Sequence, residues 1–261
     1  MKTTVKAGKL LYDLFGVLRS LIALLFFVLT VFICANFYMF WLLFLPRELL
    51  WRFWIRPCGW FCLKTLGQRV VIKGIIPDRA AGPYLYLINH QSFLDAFLVA
   101  YAMPQRITGV GAAKYFRLPV WGWMMKAHGI IPVDNKDRGQ AIASMKKIEK
   151  AIKAGESLAV FPEGERSKTG HPQEFKKGAF HLAKNAQPVI IPCVIRGAYE
   201  SWKRGSLLVR PGIITFEFLK PVTPAEYENL DFNELRRKLK KIIEQVFEDG
   251  ENKTATDQGG I

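Results

Sequence analysis

From Leu21 to Leu45 the chain reads LIALLFFVLTVFICANFYMFWLLFL, 25 residues with no charge and with Asn36 as the only strongly polar side chain. As a helix this run covers about 37 Å, more than the roughly 30 Å of a bilayer's hydrocarbon core. It is too long for the apolar region of a signal peptide and no clear small-x-small cleavage site follows it, so it is expected to stay attached. Lys2, Lys6, Lys9 and Arg19 precede the run; Arg47, Arg52, Arg56 and Lys64 follow it. A simple span shows an asymmetry of Lys and Arg between its two sides. Equal basic flanks fit a hairpin or shallow helix pair that enters one leaflet and returns, with one ordinary spanning helix as the alternative. The next segment, LLWRFWIRPCGWFCL, interleaves Trp51, Trp54 and Trp60 with Arg52 and Arg56, which is interfacial chemistry.

The whole chain of 261 residues carries 37 Lys and Arg against 22 Asp and Glu, a net charge of +15. That balance points to a polyanionic partner, and the apolar run selects a membrane over nucleic acid. Cys34, Cys58, Cys62 and Cys193 form neither a disulfide pattern nor a zinc spacing. They read as buried free thiols in a reducing, cytoplasmic-side domain.

After Gly67 the pattern changes. RVVIKG, YLYLI, ITGVGA, GIIPV, SLAVF, PVIIPCVI and ITFEFL read as strands, separated by the helical segments SFLDAFLVAYA, PVWGWMMKAH, RGQAIASMKKIEKAIKAG and FKKGAFHLAKN. Ile142, Met145, Ile148 and Ile152 recur at helical spacing and are expected in the core. A last helix over 231–248 places Leu235, Leu239, Ile242 and Val246 on one side. Continuous apolar strands alternating with helices imply an α/β fold, a mostly parallel mixed sheet covered on both faces. The expected organisation is membrane-anchoring helices over 1–66, one domain over 67–248 and a disordered tail over 249–261.

Strand YLYLI runs into Asn89-His90-Gln91-Ser92-Phe93-Leu94-Asp95. Ser92-x-x-Asp95 is a capping pattern, which is a structural reason for Asp95. His90 precedes the helix and can fold over its first turn toward that carboxylate, beyond the carboxyl end of a strand where open α/β sheets place their sites. A His–Asp pair offers general-base activation of a hydroxyl. No G-x-S-x-G elbow supplies an enzyme nucleophile, so the hydroxyl belongs to a substrate. After SLAVF come Pro162-Glu163-Gly164-Glu165-Arg166-Ser167, where Arg166 suits bidentate phosphate or carboxylate binding and Gly164 lets the backbone approach closely. Lys114 is a cation in an apolar neighbourhood, GAAKYFRLPVWG.

Together NHQSFLD, FPEGERS, KYFRLPVWG with GIIPVD, and VIIPCVI resemble the four motif blocks of the lysophosphatidic acid (1-acylglycerol-3-phosphate) acyltransferase family, over residues 67 to about 220. The resemblance implies a glycerolphosphate acyltransferase-like fold with a membrane anchor on the cytoplasmic face. It implies transfer of an acyl group from acyl-CoA or acyl-carrier protein to the free hydroxyl of 1-acylglycerol-3-phosphate, giving phosphatidic acid, with no metal and no other cofactor. His90 is then the base and Asp95 its orienting partner. Lys114, Glu163, Gly164 and Arg166 match positions tied to the acceptor's phosphate, and PVIIPCV lines the acyl pocket. Two positions depart from the family: its second block commonly ends Asp-Arg where Asp134 is followed by Asn135, and its third commonly has Thr where this chain has Glu165. Both weaken an anionic acceptor site, with Lys136 or Arg138 as substitutes. A different lysolipid acceptor is the alternative. A membrane-bound lipid hydrolase and a membrane-binding module without activity are the rival classes.

Overall fold

The central strands are buried almost throughout, and their side chains alternate between the two sides of one sheet. The structure, a computed structural model, describes residues 2–134 and 138–258. In β2 (Tyr84–Ile88) Tyr84, Tyr86 and Ile88 join one apolar cluster, while Leu85 and Leu87 join the other. β6 (Val189–Arg196) divides in the same way, with Ile191, Cys193 and Ile195 against Ile190 and Val194. Such strands are apolar throughout because both faces are covered.

The remaining strands are β1 (Gln68–Gly74), β3 (Ile107–Ala112), β4 (Ile131–Val133), β5 (Ser157–Val160) and β7 (Gly212–Phe218). The sheet runs β1-β7-β6-β2-β5-β3-β4, parallel at every junction except the antiparallel pair β6 and β7. This is the expected mostly parallel mixed sheet. β2 and β5 are parallel neighbours, so the loops leaving their carboxyl ends, with His90 and Glu163, come out side by side.

One face carries α1 (Lys2–Trp41), α2 (Arg47–Leu50), a π-helical turn Trp51–Ile55, α3 (Arg56–Thr65), α4 (Asp95–Ala102) and α5 (Trp121–His128). The other carries α6 (Arg138–Lys153), α7 (Gly178–Ala186) and α9 (Phe232–Gln258), and α8 (Ala198–Ser201) follows β6.

The N-terminal elements form a hairpin of helices. α3 returns alongside α1, held where Trp54 Nε1 donates to Cys34 O at 3.0 Å and its ring stacks on Phe37 at 3.8 Å. One side of α1 docks on the sheet domain from Arg19 to Tyr38. Arg19 Nη2 donates to Val209 O at 2.8 Å, Phe27 meets Phe97 edge-on at 5.0 Å, and Tyr38 Oη lies 3.0 Å from His128 Nδ1. The opposite side, including Leu18, Phe26, Phe32 and Phe40, is exposed.

Three expectations are corrected. Ile142 is exposed, while Met145 packs partly buried against the core and Ile148 and Ile152 are fully buried in it, because α6 begins beside the sheet edge formed by the three-residue β4. In α9 the fully buried positions are Leu235, Leu239, Ile243 and Phe247, one residue on from Ile242 and Val246, which are partly buried. The helix also continues past 248 to Gln258, where a disordered tail was expected. Arg196 Nη1 donates to Val246 O at 3.0 Å and its guanidinium lies where a Cβ on Gly250 would stand, so the glycine lets the helix run on past it. Cys34, Cys58, Cys62 and Cys193 are all free thiols, the last two buried.

Candidate active site

Four polar residues follow β2, and three of them are consumed by the fold. Asn89, fully buried, extends the strand pairing with its side chain: Nδ2 donates to Ile195 O at 2.9 Å and Oδ1 accepts from Ile195 N at 2.6 Å. Gln91 Nε2 donates to Gly170 O at 2.7 Å and its Oε1 accepts from Ala198 N at 3.2 Å. Ser92 Oγ donates to Trp202 O at 2.8 Å. Buried polar groups must be paired, and these pairs fix the turn from three directions. His90 alone keeps its side chain for chemistry.

Its Nδ1 lies 2.7 Å from Asp95 Oδ2. That oxygen already accepts the backbone N–H groups of Gln91 at 2.6 Å and Ser92 at 2.9 Å. A third partner on it must therefore donate, so the His90 proton is assigned to Nδ1 and the lone pair to Nε2. Asp95 is the first residue of α4 rather than the third, since the helix starts two residues later than the Ser92 capping pattern implies. From there its carboxylate reaches back over the turn, and one change of chain direction brings the pair together. The His90 ring stacks on Phe161 at 4.0 Å and its side chain is 20% exposed, enough for a substrate to touch.

Glu163, Gly164 and Arg166 all lie on the adjoining loop after β5, but they do different things. Glu163 is buried, and its Oε1 accepts the His90 N–H at 2.9 Å while Oε2 accepts from Gln173 Nε2 at 3.2 Å. Burial pushes its carboxyl above the usual range, with those hydrogen bonds opposing the rise. Both of its oxygens are thus taken by protein donors. Gly164 has φ +72°, and a Cβ there would stand 2.7 Å from Lys176 Nζ, so the lysine stem lies directly over its backbone. Arg166 is half-buried and, among the described contacts, donates to no protein acceptor. Ser167 N donates to His90 O at 2.7 Å, closing the two loops on each other. Lys114 stands apart on the turn after β3, exposed, with Nζ 5.1 Å from the centre of its neighbour Tyr115's ring.

Behind Phe161 a cavity of about 240 Å³ runs between α1, α3, α4 and α5. Its walls are apolar, among them Val31, Ala35, Phe97, Trp121 and Met124. Two of the polar groups on it are internally paired, since His128 bonds Tyr38 Oη and Ile107 O and Thr108 Oγ1 donates to Gly129 O at 2.7 Å, whereas Trp51 Nε1 has no partner among the described residues. Burial depresses the His128 pKa to about 4, so this end of the cavity is uncharged. The PVIIPCV strand, expected to line an acyl pocket, lies in the sheet, and the cavity is built mainly by the N-terminal helices and α4 instead.

A family model described as Acyltransferase matches residues 69–196. The chain is 30% identical over 192 residues to a mouse 1-acyl-sn-glycerol-3-phosphate acyltransferase alpha, covering 70% of this chain and 67% of that protein. The chain belongs to the 1-acyl-sn-glycerol-3-phosphate acyltransferase family. A coconut (Cocos nucifera) acyltransferase of the same description is 31% identical over 176 residues, or 67% of this chain and 56% of that one. The chain thus spans about half the length of the plant relatives it matches. The crystal structure of the 1-acyl-sn-glycerophosphate acyltransferase from Thermotoga maritima has the same fold, with a TM-score of 0.77 at 21% identity over 90% of this chain and 97% of that one.

Of the two positions read from the sequence as departures from the family's motifs, Asn135 lies outside the described residues, as do Lys136 and the side chain of Arg138. Glu165 is exposed, and its Oε2 accepts from Arg204 Nη1 at 2.9 Å. The charge it introduces is therefore paired within the protein. Sequence reasoning missed Asn89, Gln91, Ser167, Lys176 and Arg204. For the first two a signal existed: polar residues in succession at the end of a fully apolar strand.

Proposed function

We propose that the chain is an O-acyltransferase that moves a fatty acyl group from acyl-CoA or acyl-carrier protein to the free hydroxyl of 1-acylglycerol-3-phosphate. The observation that carries the reading is the His90–Asp95 pair, at 2.7 Å, beside an apolar cavity that Phe161 lines. His90 Nε2 takes the hydroxyl proton as the oxygen attacks the thioester carbonyl. The tetrahedral intermediate then collapses, the C–S bond breaks, and the thiolate leaves with the proton from the imidazolium. Asp95 holds the ring and stabilises its charged form. No enzyme nucleophile is needed, since the acceptor hydroxyl attacks directly.

The cavity supports an acyl chain as its occupant: its walls are mostly apolar, and Phe161, whose ring stacks on His90, lines it. Arg166, without a protein acceptor among the described residues, is suited to the acceptor's phosphate.

Leu14–Trp41 is long and apolar enough to cross a membrane. The docking of α1 on the domain from Arg19 to Tyr38 favours a helix lying in the plane of one leaflet instead, because a perpendicular span would carry the attached domain into hydrocarbon. Basic residues at both ends of the hairpin support a domain on the cytoplasmic face.

Purified protein given a labelled acyl thioester and lysophosphatidate in mixed micelles tests the reading. Labelled phosphatidate, absent with His90→Ala, is expected. Labelled free fatty acid alone would make the protein a thioesterase.

A further inference from the structure

Arg204 and Glu165 join the two loops that flank His90. Each partner's loop is tied to the histidine turn: Ser167 N donates to His90 O at 2.7 Å on one side, and Ser92 Oγ donates to Trp202 O at 2.8 Å on the other. Trp202 packs edge-on against Phe93 at 5.7 Å and against Phe27 of α1 at 6.2 Å. Through Trp202, two residues before it, the Arg204 turn thus adjoins both the histidine turn and the apolar helix.

The pair is open to solvent, with side chains 45% and 49% exposed. Exposed ion pairs are weak and are readily exchanged for a stronger anion. The Arg204 hydrogen bond, helped by Lys168 and Lys176, holds the Glu165 carboxyl below its usual range, so the carboxylate sits in a cluster of cations. A phosphate monoester carries about −1.5 to −2 charges and three acceptor oxygens, against one charge on a carboxylate. Arginine binds such a group bidentately.

We propose that Glu165 is a built-in counter-ion that a phosphate monoester displaces, and that Arg204 then joins Arg166 on that phosphate. The inference rests on the acyltransferase reading and names how its acceptor is chosen. A head group bearing a phosphodiester, with a single negative charge, competes poorly with Glu165. Selection for the monoester thus comes from a residue that repels anions, and the added carboxylate sharpens the site. Specificity built from a repulsive element as well as attractive ones is a general device.

Acceptor kinetics of wild type, Glu165→Gln, Arg204→Ala and the double variant test this, using lysophosphatidate, lysophosphatidylcholine and uncharged monoacylglycerol. All KM values are taken relative to that for monoacylglycerol. Arg204→Ala is expected to raise the KM for lysophosphatidate about tenfold, the worth of one charge-assisted hydrogen bond, and Arg204→Lys to recover part of it. Glu165→Gln is expected to lower the KM for lysophosphatidylcholine more than that for lysophosphatidate, narrowing the preference between them. Arg204→Ala should cost more in the Glu165→Gln background, where the arginine is no longer occupied. A relative KM for lysophosphatidate that ignores Arg204 in both backgrounds would overturn the proposal and leave the acyltransferase reading intact. Wild-type protein that releases fatty acid and acylates no lysolipid would overturn both.

Discussion

Glu163 Oε1 accepts the backbone N–H of His90 at 2.9 Å, across a sequence separation of 73 residues. The contact exists because β2 and β5 are parallel neighbours whose carboxyl ends emerge together. It makes Glu163 a positioning residue for the base. Glu163→Ala is expected to lower kcat about a hundredfold, the scale of a misplacement of roughly 1 Å, with little change in the KM for the lysolipid. Glu163→Gln keeps an acceptor oxygen for His90 and should lose far less. A raised lysolipid KM with kcat intact in Glu163→Ala would move Glu163 to the acceptor site.

The same carboxyl predicts a pH dependence of stability. Burial raises its pKa above the ordinary 4.5. Between 4.5 and the raised value the folded protein holds a proton that the unfolded chain has released, so stability from this group falls as pH rises through that window. Glu163→Gln is neutral throughout and loses nothing there. The Tm of that variant relative to wild type is expected to climb as pH rises from 4.5. A constant difference across the window would show that Glu163 does not retain its proton on folding.

His90→Ala should remove the base and cost about 10²–10⁴ in kcat. Asp95→Asn should lose most of that too, since the amide need not hold the proton on Nδ1. It should also destabilise, because Asp95 Oδ2 accepts two backbone N–H groups inside the fold. Leaving buried donors poorly paired costs about 1–3 kcal/mol. Kinetics paired with thermal melts separates the two variants: His90→Ala should melt near wild type and Asp95→Asn below it.

These variants also mark how far the chain could be read before its structure. The strands were legible because apolar runs such as YLYLI are short, bounded and free of polar interruptions. The His90–Asp95 pair was legible because both residues belong to one local turn. What Glu163, Asn89 and Arg204 do was not, since each acts through a partner brought close only by strand order: Asn89 meets Ile195 at a separation of 106 residues. Motif position put Glu163 with the ligand, whereas burial puts it behind the histidine. The α9 stripe was misphased by one residue because Ile242 and Ile243 are equally apolar, and only packing against β6 chooses between them.

The cavity behind Phe161 predicts a handle on acyl-chain length. Ala35 lines it and is 1% exposed. Ala35→Leu adds three carbons to the wall and should shift preference toward shorter acyl donors, about tenfold for each 1.4 kcal/mol of lost fit. Tyr38→Phe is the contrast: it leaves His128 Nδ1 buried without its partner, which should cost about 1–3 kcal/mol of stability. A chain-length series of acyl thioesters, with melts of both variants, checks the pair. An unchanged series in Ala35→Leu would mean that the acyl chain lies elsewhere.

The hairpin makes the last prediction, because α1 has two faces with different tasks. Phe27 is buried against Phe97, whereas Phe26 and Phe32 are more than half exposed. If the outer face lies in lipid, Phe32→Asp should weaken binding to vesicles sharply and leave the detergent-solubilised protein's Tm near wild type, since no protein contact is lost. Phe27→Ala should do the reverse, destabilising the fold by about 3–5 kcal/mol as aromatic truncations in cores do. Reporters fused at the two ends of the chain should both be found in the cytoplasm, since an in-plane hairpin crosses nothing. An external reporter at the N-terminus would show a true span and would require α1 to leave the groove formed by Val209, Phe97 and His128.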